Sequence, residues 1–209
     1  MTAATSARLH LLTDARDGRD ALGVVAAAVG AGVRVVQVRR KGCTDRELYE
    51  FAARVVGLCA ERGASCVVND RVDVALAVGA AGTHLGADDL PVEVVRRLGG
   101  PEHMVGGTAR DPLRATGLVA AGADYLGVGP VYATSTKAGL PGPLGLDGLA
   151  AVARAVDVPV IAIAGVIVDR VPELLAAGAH GVAVVTAVSE ASDPAVATRA
   201  LLRALGELP

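Results

Sequence analysis

Short runs of β-branched residues alternate eight times with longer Ala- and Leu-rich segments of helical period. The strand-like runs fall at 8–14, 33–39, 64–70, 82–86, 103–107, 124–129, 158–164 and 181–185. The helical segments fall at about 18–31, 44–62, 71–79, 91–98, 111–121, 146–155, 168–177 and 193–206. Runs that are apolar on both faces suit parallel strands covered by helices. Strict strand–helix alternation predicts an α/β fold, a (β/α)₈ TIM barrel formed as a single domain over 8–209 after a disordered tail at 1–7. An open doubly wound sheet is the weaker reading, because nothing like GxGxxG follows the first strand. Local signals agree. Thr44 and Glu47 make a capping box, and Gly32, Gly63, Gly79, Gly122 and Gly178 stand where helices should stop. With 52% hydrophobic residues, 2% aromatics and no Trp, the core must be aliphatic.

The same sequence excludes several function classes. A net charge of −2 gives no positive field for nucleic acid or anionic membrane. The longest apolar run, 158–168, is too short to span a bilayer and contains Pro159. MTAATSA lacks the basic-then-apolar pattern of a secretory signal. Three cysteines without CxxC spacing fit a reducing cytoplasm better than a disulfide framework or a zinc site.

In a (β/α)₈ barrel, chemistry sits at the C-terminal ends of the strands. Of 20 cationic residues only Lys41 and Lys137 are lysines, and both follow strand-like runs. A compact ammonium suits a site that needs a point charge. Strand two ends in Gln37, Arg39 and Lys41, which alternation places on one face. Strands three and four deliver Asn69, Asp70, Asp88 and Asp89. Asp70 and Asp89 read equally well as charge balance or as ligands of one Mg²⁺. Asp88 reads as a cap for the helix near Pro91, and His10 and His84 as structural histidines with bonded ring nitrogens. Thr108 follows Gly106 and Gly107. The long 131–145 segment carries Thr134, Ser135, Thr136 and Lys137, hydroxyls and an ammonium suited to a phosphate or pyrophosphate. Gly165 after strand seven, with Val185 and Thr186 after strand eight, forms a second anion site.

Together, VQVRRK, VNDRVDVALAVGAAGTHLGADDL, GADYLGVGPVYATSTKAG, PVIAIAGV and AAGAHGVAVVTAVSEASDP resemble the thiamine phosphate synthase family over nearly the whole chain. The resemblance implies a Mg²⁺-dependent transferase. It would join 4-amino-2-methyl-5-hydroxymethylpyrimidine diphosphate to 4-methyl-5-hydroxyethylthiazole phosphate, giving thiamine phosphate and pyrophosphate. It implies that Gln37, Arg39 and Lys41 bind the diphosphate beside Asn69, and that Asp70 and Asp89 hold Mg²⁺. Thr108 would meet the pyrimidine. Lys137 would meet the diphosphate, and Thr134 and Thr136 the thiazole phosphate, with Gly165, Val185 and Thr186 completing the phosphate site. Arg39, Lys41 and Lys137 are the expected catalytic cations. Partners would be small molecules only, and the resemblance admits a homodimer.

Three positions depart from the family pattern. Ala87 stands for a usual glutamine, Thr108 for serine, and Arg110 for a common histidine. The rivals are a thiazole tautomerase-like isomerase on the same fold, a Schiff-base aldolase, and a non-catalytic barrel that binds a phosphate ligand. Arg110 speaks against the first, since a guanidinium cannot act as a base.

Overall fold

The computed structural model describes residues 6–16, 18–134, 139 and 141–208. Eight parallel strands close into a barrel in sequence order. They are β1 Leu9–Leu12, β2 Val35–Val38, β3 Ser65–Asn69, β4 Gly82–Leu85, β5 Met104–Ala109, β6 Tyr125–Val128, β7 Val160–Ile163 and β8 Gly181–Val184. The outer ring is α1 Ala21–Gly30, α2 Asp45–Ala60, α3 Val72–Ala77, α4 Val92–Gly99, α5 Pro112–Ala120, α6 Gly145–Ala153, α7 Val171–Ala176, α8 Thr186–Ser189 and α9 Pro194–Ala204. All eight expected strands and helices are present, so the (β/α)₈ prediction stands. The short α8, directly after β8, has no counterpart in the sequence reading; four residues are too few to show a period.

The helix ends follow the sequence chemistry. Thr44 and Glu47 form the reciprocal capping box on α2. Asp20, Asp111 and Asp193 accept from the first-turn amides of α1, α5 and α9. Each such cap is worth about 1 kcal/mol. All five glycines expected at helix ends have positive φ, from 65° to 117°. The expected Asp88 cap is absent: Asp88 is exposed, and the N-cap of α4 is Pro91, with no side-chain cap. Ala7, assigned to the tail by the sequence reading, is 4% exposed and packs into the barrel.

Strand alternation sorts the core into two layers. Leu9, Leu11, Val36, Val38, Cys66 and Val68 face outward to the helices. Leu12, Val35, Val67, Met104, Tyr125 and Ile161 fill the barrel interior. The barrel is sealed where β1 meets β8. There Val182 N donates to Arg8 O at 2.7 Å, and a Cβ on Gly181 would lie 2.1 Å from that carbonyl. Only glycine lets the two backbones come this close. Arg8 also donates to His180 O, to Leu205 O and, through its backbone amide, to Glu207, tying the seam to the chain after α9.

Candidate active site

A cavity of about 680 Å³ opens at the C-terminal ends of the strands. Its floor is set by the register Asn69–His84–Gly106–Tyr125 across β3 to β6, which places these residues at one level. Gly106 lets Tyr125 lie across β5: a Cβ there would sit 2.2 Å from the Tyr125 ring. Gly127 makes room for His84 in the same way, its Cβ position being 3.0 Å from the imidazole. Tyr125 Oη thus comes within 3.1 Å of His84 Nδ1, and His84 Nε2 within 3.0 Å of Thr108 Oγ1. The His10 ring meets Tyr125 edge-on at 5.2 Å. Gly106→Ala is therefore expected to push Tyr125 off its seat and cost about 2–3 kcal/mol. Urea denaturation measures this, and a loss under 0.5 kcal/mol, roughly the scatter of neutral substitutions, would contradict the packing.

Burial keeps both histidines neutral. His84 is lowered from 6.5 to about 4 by desolvation, against a small opposing pull from Asp89. His10 is lowered to about 3 by desolvation, with His84 adding to the effect. The unfolded chain takes up these protons near pH 6.5, whereas the folded chain resists until about pH 4 and below. The unfolded state therefore binds more protons throughout that window, and stability falls as pH drops from about 6.5 to 4. For His84 alone the loss is on the order of 3 kcal/mol at pH 4. Urea midpoints at pH 7, 5.5 and 4.5 should decline in step; a flat series would mean that the histidines are not buried neutral.

Above this floor the polar residues of β2, β3 and the β4–α4 loop meet. Gln37 is buried and donates to Asn69 Oδ1 at 2.8 Å, and Asn69 donates to Asp70 Oδ1. Lys41 pairs with the other Asp70 oxygen. Arg39 is fixed through its backbone, its N–H donating to Thr13 Oγ1 at 2.9 Å while Thr13 donates to Arg39 O at 3.2 Å. Asp89 accepts from Gly86 N at 2.6 Å. Its carboxyl is pushed above the ordinary value by desolvation and by a hydrogen bond with Asp70. Two carboxylates in contact, one of them resisting ionisation, favour a cation between them. Among the described residues no group of three or more His, Cys, Asp or Glu is gathered as a metal cage. That donor set matches Mg²⁺, which takes one or two carboxylates and completes its shell with water and substrate phosphate.

Asp70 has φ 67°, a left-handed backbone unusual outside glycine. The turn is held by Asp70 N donating to His84 O at 2.8 Å. Ala164, beside Gly165, shares this conformation with φ 80°. Such residues cost about 1 kcal/mol or more and gather at functional sites.

The opposite wall is built by the loops after β6, β7 and β8. Thr134, Gly165, Val185 and Thr186 all line the cavity. Gly165 has φ 67° and packs so closely that a Cβ would lie 2.6 Å from Tyr132 Cβ. Arg170 donates to Gly165 O at 2.6 Å and stacks on the Tyr132 ring at 4.2 Å, while Tyr132 donates to Glu173. Sequence reasoning missed this clasp between the β6 and β7 loops, because stacking on an aromatic leaves no motif. It also missed Asp14, a buried carboxylate held well below its usual range by Arg16. Ser189 of α8 donates to it at 2.7 Å. Ser135, Thr136 and Lys137 lie outside the described residues. The cavity thus brings together Gln37, Arg39, Lys41, Asn69, Asp70, Asp89, Thr108, Thr134, Gly165, Val185 and Thr186.

The sequence model of the family described as "Thiamine monophosphate synthase" matches residues 9–188. This chain belongs to that family. It is 57% identical over 201 residues to the thiamine-phosphate synthase of Salinispora tropica, covering 95% of this chain and 97% of that one. It is 45% identical over 196 residues to the thiamine-phosphate synthase of Chloroflexus aurantiacus, covering 93% and 90%. Among solved structures, a thiamine phosphate pyrophosphorylase from Pyrococcus furiosus superposes with a TM-score of 0.88 at 35% identity, covering 99% and 98%. Family membership does not support the isomerase, aldolase or non-catalytic readings. Arg110 serves the scaffold: it donates to Gly129 O at 3.2 Å and Gly142 O at 2.7 Å.

Proposed function

We propose that this protein is a thiamine phosphate synthase. It joins 4-amino-2-methyl-5-hydroxymethylpyrimidine diphosphate and 4-methyl-5-hydroxyethylthiazole phosphate into thiamine phosphate, with release of pyrophosphate. The observation that carries the reading is the Gln37–Asn69–Asp70–Lys41 network beside Asp89 at the cavity mouth, in a chain 57% identical to proteins of that name.

The C–O bond between the pyrimidine methylene and the diphosphate breaks first, and the electron pair leaves with pyrophosphate. The amino-pyrimidine ring stabilises the methylene cation, and the thiazole nitrogen then attacks it, forming the C–N bond. No proton need be taken from the nucleophile. That fits a site whose buried histidines are neutral and committed to hydrogen bonds. The protein's task is to stabilise charge developing on the leaving group. Arg39, Lys41 and Lys137 supply the cations, and Gln37 and Asn69 hold Asp70, the partner of Lys41. Asp70 and Asp89 would hold Mg²⁺, which neutralises diphosphate charge when bound. Thr108 reaches the pyrimidine from the floor. Thr134, Gly165, Val185 and Thr186, which line the opposite wall, bind the thiazole phosphate together with Thr136.

The same reading makes the protein cytoplasmic, with small-molecule partners only, and admits a homodimer. Its three cysteines are free, and no helix among the described residues is long and apolar enough to cross a membrane. Incubating the purified chain with both precursors and Mg²⁺, and following thiamine phosphate by chromatography, tests the reading. Absence of product with an intact fold would overturn it.

A further inference from the structure

Tyr125, His84 and Thr108 form one hydrogen-bonded line beneath the cavity. The positions of the hydrogens follow from hydrogen-bond valence. Tyr125 is 2% exposed, and burial pushes its hydroxyl pKa above the ordinary value, so Oη keeps its proton. Among the described residues, His84 Nδ1 is the one partner shown for that hydroxyl. Were Nδ1 itself protonated, it would donate to Oη and leave the Tyr125 proton buried without an acceptor, which is strongly disfavoured. Tyr125 therefore donates and Nδ1 accepts. The neutral imidazole carries its single proton on Nε2, and Nε2 donates to Thr108 Oγ1. The Thr108 hydroxyl hydrogen is left to point away from His84, toward the cavity that Thr108 lines.

We propose that Tyr125 is a positioning residue which, acting through His84, fixes Thr108 as a hydrogen-bond donor toward the substrate, so that the cavity selects a ring nitrogen bearing a lone pair. The proposal rests on the synthase reading for the identity of the substrate, and on the structure alone for the direction of the hydrogen bonds. It also gives the threonine a purpose. A β-branched side chain is stiff at χ1, so the methyl that distinguishes Thr108 from serine holds Oγ1 in line with His84. The selected group is the aminopyrimidine form of the ring. In the 4-oxo counterpart the adjacent nitrogen carries hydrogen, and two donors would face each other.

The direct test is ¹⁵N NMR of the histidine-labelled free protein at pH 7.5, with His84 assigned through its backbone connectivity. The expected result is a protonated Nε2 and an unprotonated Nδ1; a protonated Nδ1 overturns the proposal. Steady-state kinetics supply the second readout. Thr108→Val should raise KM for the pyrimidine diphosphate about tenfold, with kcat and KM for the thiazole phosphate little changed. Thr108→Ser should stay within about twofold of the parent, because the donor is kept. Tyr125→Phe, which preserves the ring on Gly106, should raise the pyrimidine KM about fivefold. An unchanged pyrimidine KM in both Thr108→Val and Tyr125→Phe would also overturn the proposal. Since the tautomer is read on the free protein, failure to form thiamine phosphate would leave that result standing. A wrong tautomer in an active synthase would sink the proposal alone.

Discussion

Stripping divalent cations with EDTA is expected to lower thiamine phosphate formation at least about a thousandfold, and excess Mg²⁺ should restore it. The basis is the carboxylate pair. Asp70 and Asp89 touch, and Asp89 resists ionisation because of burial and the Asp70 charge. Lys41, paired with Asp70, brings a single positive charge to the two carboxylates. A substrate diphosphate brings more negative charge into the same mouth. Without a divalent cation these charges repel, and binding and bond breaking both suffer. Asp89→Asn should keep the fold and raise the Mg²⁺ concentration for half-maximal rate by about tenfold. Full turnover in EDTA would remove Mg²⁺ from the reaction and return the pair to simple charge balance.

Lys41→Ala is expected to reduce kcat by about 10²–10³, the usual effect of losing one preorganised group that stabilises transition-state charge. Lys41→Arg should recover only part of this. A planar, forked guanidinium does not reproduce a compact ammonium at the position where Lys41 meets Asp70. The same argument covers Lys137→Arg on the β6–α6 loop, where near-parental turnover would sink the assignment of that residue. Single-turnover kinetics separate this loss from product release. Because Lys41 has 60% of its side chain exposed, its removal should leave thermal stability almost unchanged. A large fall in Tm alongside the fall in rate would recast Lys41 as a structural residue.

Much of the architecture was legible because it rests on local rules. The alternating β and α periods gave the barrel, and Thr44 and Glu47 gave the start of α2. The glycines gave the helix ends. The rarity of lysine directed attention to Lys41, and alternation grouped it with Gln37 and Arg39, which now line one wall. Long-range pairings were not legible. Tyr125 reads as one more apolar strand residue. Its partner His84 lies 41 positions earlier, and the contact exists because Gly106 opens a gap between them. The stacking of Arg170 on Tyr132 depends likewise on how two loops leave adjacent strands. Asp88 failed as a cap because Pro91, not Asp88, takes the N-cap position of α4; an acidic residue near a helix start is only an opportunity for capping.

The seam between β1 and β8 has a consequence for how the protein is made. Within the barrel β1 leaves the ribosome before the other strands, and its partner β8 is the last of the eight to follow. Until then one edge of β1 is an open hydrogen-bonding template. The closing pairs, such as His10 with Ala183, join residues far apart in sequence, a class of contact that forms slowly. The nascent chain must therefore carry a half-closed sheet of Val and Leu until the last strand of the barrel has emerged. Its period of greatest risk is that wait, and aggregation during expression is the hazard it brings. A variant that harms the fit of Gly181 against Arg8 would show itself first as lost yield, before any loss of turnover in the molecules that do close.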